Sequence, residues 1–320
     1  MQSPLFDPSR LAPDVLAVLQ GMAASGAPPL ETLPIPQLRQ AYGQIGALLG
    51  GTPLPVAEVR ALTATGPAGP IPLRLYRPVS APQATAAIVY LHGGGWSAGD
   101  LDTHDPVCRR LAQAAACAVV AVDYRLAPEH PAPAGPQDVV AAIAWLAAHA
   151  GELGLDAGRL AVAGDSAGGS LAAVACQQLR GSAVALRAQA LFYPSTDLSP
   201  ASQDFAARHE NAHVPPLTLA VMQAMSAPFV AEYDPSDSRL SPLRAADLRG
   251  LPPALIYTAA CDVLRDDGRH YADALRTAGV AVEYVELPGM VHGFVEMAGV
   301  LPAAVRAIEH AAAFLSARLA

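Results

Sequence analysis

Apolar positions along this chain fall into two alternating rhythms. Short unbroken runs of four to eight apolar residues predict buried strands. Longer stretches with apolar residues three and four apart predict helices. Strand-like runs occur at Val56 to Thr63 and Ile71 to Arg77, with the turn residues Gly66-Pro67-Ala68-Gly69-Pro70 between them, which predicts a hairpin. Further runs lie at Ala86 to Leu91, Ala118 to Val122, Leu160 to Ala163, Ala188 to Tyr193, Ala254 to Ala259 and Val280 to Leu287. Helical patterns fall between them: Arg109 to Ala116, a helix opened by Pro136 with Val139, Ile143 and Leu146 on one face, Ser170 to Leu179, and Asp267 to Ala278. A last helix carries Leu301, Val305, Ile308, Ala312, Leu315 and Leu319 in 4-3-4-3-4 spacing. Strands alternating with helices predict right-handed crossovers and an α/β fold, its mainly parallel central sheet covered by helices on both faces.

Two regions break the rhythm. Residues 1–50 hold only helical patches, Leu11 to Met22 and Leu38 to Leu49, separated by Pro28-Pro29 and Pro34-Ile35-Pro36. Residues from about 195 to 250 are rich in Pro, Asp and Ser around one helical stretch, Leu217 to Tyr233. Together they predict a helical lid over the strand ends, with residues 51–320 as the main domain.

Composition narrows the function. With 52% hydrophobic and 15% charged residues, the chain is globular rather than disordered. Its net charge is −8 and all of its Lys/Arg positions are arginine without a basic stripe, so nucleic acid is not an expected partner. No apolar run reaches the roughly 18 residues of a membrane helix. No basic patch precedes an apolar block near Met1, so no secretory signal is read and a cytoplasmic location is expected. Cys108, Cys117, Cys176 and Cys261 are scattered, with no metal-binding or disulfide spacing, and are expected to be reduced and packed. No cofactor or metal is called for.

The chemistry concentrates where strands end. Gly164-Asp165-Ser166-Ala167-Gly168-Gly169 joins a strand to a helix, a sharp turn that lifts a serine hydroxyl above the sheet edge. A serine needs a base, and the base needs a group to orient it. In open α/β sheets such groups lie at the carboxyl ends of strands. Downstream, Asp262 follows the strand Ala254 to Ala259, and His292 follows Val280 to Leu287. The neighbours Asp266 and Asp267 open a helix, where acids commonly serve as caps. His92-Gly93-Gly94-Gly95 follows another strand, and glycines there let backbone N–H groups approach a developing oxyanion. The first helical N–H, that of Ala167, completes the candidate set. Met222 and Met225 sit at helical spacing in the insertion, suited to an adaptable acyl pocket or to plain packing.

From about Ile88 to Phe294 these segments resemble the hormone-sensitive-lipase-like branch of the α/β-hydrolases, bacterial carboxylesterases with a cap. The resemblance rests on His92 to Trp96 with Gly99-Asp100, on Asp123-Tyr124-Arg125-Leu126-Ala127-Pro128-Glu129, on Gly164 to Gly169, on Asp262 to Gly268, and on His292-Gly293-Phe294. It implies Ser166 as nucleophile, His292 as base and Asp262 as its orienter. It further implies Gly94, Gly95 and Ala167 as oxyanion donors, with His92 and Gly93 shaping the loop. Val263 departs from the family, which more often has proline there. The implied activity is hydrolysis of short- to medium-chain esters. Amides and lactones remain alternatives for the same machinery. A silent ligand-binding relative is another, although such a protein usually lacks a member of the triad. The run Val280 to Leu287, if it is a sheet edge, would offer a homodimer seam.

Overall fold

The computed structural model describes residues 6–80 and 85–320; Met1 to Leu5, where the reading of a leader begins, lie outside the described residues. Eight strands form one sheet: β1 (Glu58–Gly66), β2 (Gly69–Arg77), β3 (Thr85–Leu91), β4 (Ala118–Val122), β5 (Leu155–Asp165), β6 (Leu186–Phe192), β7 (Ala254–Cys261) and β8 (Val282–Val291). Their order across the sheet is β1-β2-β4-β3-β5-β6-β7-β8. β1 and β2 pair antiparallel, β2 pairs antiparallel with β4, and every later neighbour is parallel. The helices are α1 (Pro13–Ala24), α2 (Ile35–Leu49), α3 (Asp105–Ala115), α4 (Ala134–His149), α5 (Ala167–Leu179), α6 (Ala206–Glu210), α7 (Leu219–Val230), α8 (Arg265–Thr277) and α9 (Pro302–Leu319).

The central strands are apolar throughout because both faces are covered. Successive residues of β3 point to opposite sides: Ile88 and Tyr90 join a core with Leu111 of α3 and Ile308 of α9, while Ala87 and Val89 join one with Ile143 of α4 and Leu171 of α5. Period-two alternation between two buried faces therefore reads as an unbroken apolar run.

The predicted boundaries shift where backbone pairing outruns side-chain pattern. β5 begins at Leu155, five residues before its apolar run, because Leu155 still pairs with Thr85. β8 continues through Pro288-Gly289 to Val291, with a register shift opposite β7 and Gly289 at φ 71°. α2 begins at Ile35 and takes Pro36 into its first turn, where the missing N–H would have had no helical partner anyway. The insertion's main helix is shorter than its pattern: Thr218 caps α7 by accepting from the Val221 N–H at 3.2 Å.

The two irregular regions meet. Leu38 and Tyr42 of α2 pack with Val221 and Met225 of α7 and with Ala98. α1 lies lower, with Val15 and Leu19 buried in the core beside Met290 and Val291 of β8. All four cysteines are buried and free.

Candidate active site

β5 ends at Asp165 and α5 starts at Ala167, which leaves Ser166 alone in the turn. Its φ of 53° and ψ of −120° lie in a region that side-chain-bearing residues rarely occupy. The turn is held by the Ser166 N–H donating to the Phe192 carbonyl at 2.8 Å. A Cβ at Gly168 would stand 2.0 Å from the Leu91 carbonyl oxygen, so only glycine lets α5 leave so close to β3.

β7 ends at Cys261 and delivers Asp262; β8 ends at Val291 and delivers His292. The three side chains meet. His292 Nε2 lies 2.8 Å from Ser166 Oγ, and His292 Nδ1 lies 2.7 Å from Asp262 Oδ2. The other carboxylate oxygen, Oδ1, accepts the Leu264 N–H at 2.8 Å. Burial acts to lower the His292 pKa, but the charge and hydrogen bond of Asp262, with Glu296 and Asp165 beyond it, hold it above the ordinary 6.5. The Tyr193 ring packs on the imidazole with centroids 4.6 Å apart.

Gly94 and Gly95 line the same pocket as Ser166 and His292. Their φ values of 118° and 58° curl the chain so that neither N–H meets an internal acceptor among the described residues. His92 is buried and nearly parallel to Tyr124, with ring centroids 4.3 Å apart. Its Nδ1 lies 2.8 Å from the Gly93 carbonyl, and the Tyr124 hydroxyl donates to the His92 carbonyl at 2.8 Å. Burial and the neighbouring His104 charge push the His92 pKa down to about 4. His92 is therefore neutral, with Nδ1 as its donor.

The pocket above Ser166 encloses about 850 Å³, part of it open to solvent. Ile45 and Leu49 of α2, Val221, Met222 and Met225 of α7, and Leu198 and Leu217 of the insertion make its walls apolar. A Cβ at Gly95 would stand 2.6 Å from the Met225 Cβ, so α7 rests directly on the glycine loop.

Several residues that hold the site carry no legible signal in sequence. Asn211, just after α6, donates from Nδ2 to the Asp262 carbonyl at 2.9 Å. Arg208 of α6 is fully buried, donates to the Val263 carbonyl and pairs with Asp267 at 2.8 Å. Asp266 and Asp267 do begin a helix, yet the backbone N–H groups they accept lie outside it: Asp266 accepts the Ala207 N–H at 2.9 Å, and Asp267 accepts those of Thr196 and Asp197 at 3.2 Å. They fasten the insertion to the turn that carries Asp262 rather than capping α8. Burial, opposed by Arg208 and reinforced by Asp197, raises the Asp267 pKa to about 7.

The chain and its fold are similar to known proteins. Residues 88–296 match a family described as having the alpha/beta hydrolase fold. The carboxylesterase NlhH of Mycobacterium tuberculosis is 49% identical over 242 residues, covering 74% of this chain and 75% of the relative. The ethyl acetate hydrolase of Pseudomonas putida is 38% identical over 308 residues, covering 91% and 94%. An ester hydrolase from the metagenome of Lake Arreo, solved with a derivative of bipyridine phosphonate, superposes with a TM-score of 0.91 at 43% identity, covering 96% and 98%. The chain therefore belongs to the α/β-hydrolase family, in its hormone-sensitive-lipase-like branch, and is a carboxylic ester hydrolase.

Proposed function

We propose that Ser166, His292 and Asp262 form the catalytic triad of this esterase, and that its substrates are short- to medium-chain acyl esters. The observation that carries the reading is the continuous hydrogen-bond path from Ser166 Oγ through His292 to Asp262 beneath an apolar pocket. Ser166 Oγ attacks the ester carbonyl carbon while His292 Nε2 takes the hydroxyl proton. The carbonyl oxygen becomes an oxyanion that accepts from the N–H groups of Gly94, Gly95 and Ala167, each such donor being worth about 3 kcal/mol of barrier. The imidazolium then protonates the departing alcohol, leaving an acyl ester on Ser166. Water, deprotonated by His292, attacks that ester, and the second tetrahedral intermediate collapses to acid and free serine. Asp262 accepts from Nδ1 and so holds the imidazole in the tautomer that leaves Nε2 free to accept. A phosphonate is tetrahedral at phosphorus, as this intermediate is at carbon, so the phosphonate-bound relative supports the reading.

Residues 1–50 and about 195–250 act as a cap on a catalytic domain spanning 51–320. The contact between α2 and α7 above the pocket supports this division, and the methionines there limit acyl length. Binding of a small ester in this pocket requires no membrane span, and among the described residues no helix is long and apolar enough to cross a membrane. The strand β8 ends the sheet at one edge, where a second copy could pair to make a homodimer. The decisive experiment is Ser166→Ala with a series of p-nitrophenyl esters: a folded protein without turnover is expected, and near-parental turnover would reject the nucleophile.

A further inference from the structure

Beneath the glycine loop lies a buried charge cluster whose members are not part of the triad. His104 stands at the start of α3, Asp165 immediately before the nucleophile, and Glu296 in the turn after the base. His104 and Asp165 are fully enclosed. Nε2 of His104 lies 3.2 and 3.4 Å from the two oxygens of Asp165 and 3.8 Å from Glu296 Oε2.

The protonation state of His104 is set by the hydrogens its neighbours hold. Thr103 Oγ1 donates its single hydrogen to the Asp100 carbonyl at 2.8 Å and accepts the Asp100 N–H at 2.9 Å. It stands 2.9 Å from His104 Nδ1, so that nitrogen must be the donor. Nε2 stands between both oxygens of Asp165, at 3.2 and 3.4 Å, and the Gly93 N–H, at 3.3 Å. The Gly93 N–H has its shorter partner in Asp165 Oδ1 at 3.0 Å, which leaves Nε2 to the carboxylates. Two carboxylates within 3.8 Å of one buried nitrogen favour a hydrogen on it, and with hydrogen on both nitrogens the ring is an imidazolium.

Asp165 carries that charge to the glycine loop. Its Oδ1 also accepts from the Tyr90 hydroxyl at 2.8 Å. A Cβ at Gly93 would stand 2.3 Å from Asp165 Oδ2, so the absence of a side chain there makes room for this carboxylate. With its N–H held by Asp165 and its carbonyl by His92 Nδ1, Gly93 has both peptide planes pinned. The second plane is the one that carries the Gly94 N–H. Glu296 reaches back beside Gly293, next to the base, and faces Tyr42 of α2.

We propose that His104 is a positioning residue: as an imidazolium shared by Asp165 and Glu296, it locks the nucleophile turn, the oxyanion loop and the turn carrying the base into one buried framework. The groups around it are Asp165 on β5, Glu296 after β8, Tyr90 on β3, Tyr42 on α2, His92 in the loop, and Asp100 and Thr103 on its own segment. Burial opposes its charge, but Asp165 and Glu296 outweigh burial and raise its pKa to about 9. His104 does not line the substrate pocket, so its loss should act on the transition state rather than on substrate binding.

The inference rests on the triad reading, and the experiment separates the two. His104→Gln and Asp165→Asn are compared with the parent after counting live serines with a phosphonate ester. Each should lower kcat about tenfold to a hundredfold, the scale of a slightly misplaced reacting group, while KM stays within about threefold. Affinity for a trifluoromethyl ketone, which forms a tetrahedral adduct on serine, should fall in step with kcat/KM. In the parent, nitrogen-15 NMR should find both His104 ring nitrogens protonated at pH 7, and this charge should be lost in Asp165→Asn. A neutral parental ring at pH 7 would overturn the proposal without reference to activity. So would a variant with lowered thermal stability but parental kcat per live serine. Turnover by Ser166→Ala would instead strike at the triad itself.

Discussion

Replacing Asp262 by asparagine removes one charge and keeps the shape, and the hydrogen bonds around it dictate the consequence. The parental carboxylate accepts twice, from the Leu264 N–H on Oδ1 and from His292 Nδ1 on Oδ2. Asparagine has one acceptor and one donor in those two places. If its oxygen takes the Leu264 N–H, its NH₂ group faces Nδ1. The imidazole must then accept at Nδ1 and carry its hydrogen on Nε2, which can no longer take the Ser166 proton. If the amide flips, its NH₂ confronts the Leu264 N–H in a buried site, at a cost of about 1–3 kcal/mol for the unsatisfied donors. Either arrangement also withdraws the negative charge that steadies the imidazolium. A wrong tautomer in such a triad lowers kcat by about 10⁴, so a fall of about 10³ to 10⁴ is expected, or about 4–5 kcal/mol of barrier. The assay is p-nitrophenyl butyrate hydrolysis under saturating substrate, with folded protein confirmed by circular dichroism. A variant within tenfold of parental kcat would refute the assignment of Asp262 and the tautomer argument together.

The site sets two further outcomes. Because its neighbours raise the His292 pKa above 6.5, the acid limb of kcat/KM should have its midpoint above 6.5, with activity rising as the proton leaves; a midpoint below 6 in the stopped-rate profile would contradict the charge balance around the imidazole. Met225→Ala should deepen the pocket next to Gly95 and raise the octanoate-to-butyrate ratio of kcat/KM, each accommodated methylene being worth about 1–3 kcal/mol; an unchanged ratio would mean that Met225 does not bound the acyl site.

The amino-acid sequence by itself determined the alternation of strands and helices, because burial on both faces of a parallel sheet writes itself as apolar runs such as Ile88 to Leu91 and Leu160 to Ala163. It also marked the residues just after those runs, since strand ends in this topology share one rim: Ser166, Asp262, His292 and the glycines after His92 are local features of single turns. What only the tertiary structure decided are the partners brought from far along the chain. Asn211 and Arg208 reach the acid turn across about fifty residues of intervening sequence. His104, one of nine histidines, becomes a charged buried group only because Asp165 and Glu296 converge on it. Asp267 and Asp262, five residues apart, differ in role because one faces Arg208 and the other an imidazole. Periodicity records which face of an element is buried; it does not record which polar group from another element will stand opposite, and a buried charge takes its character from that neighbour.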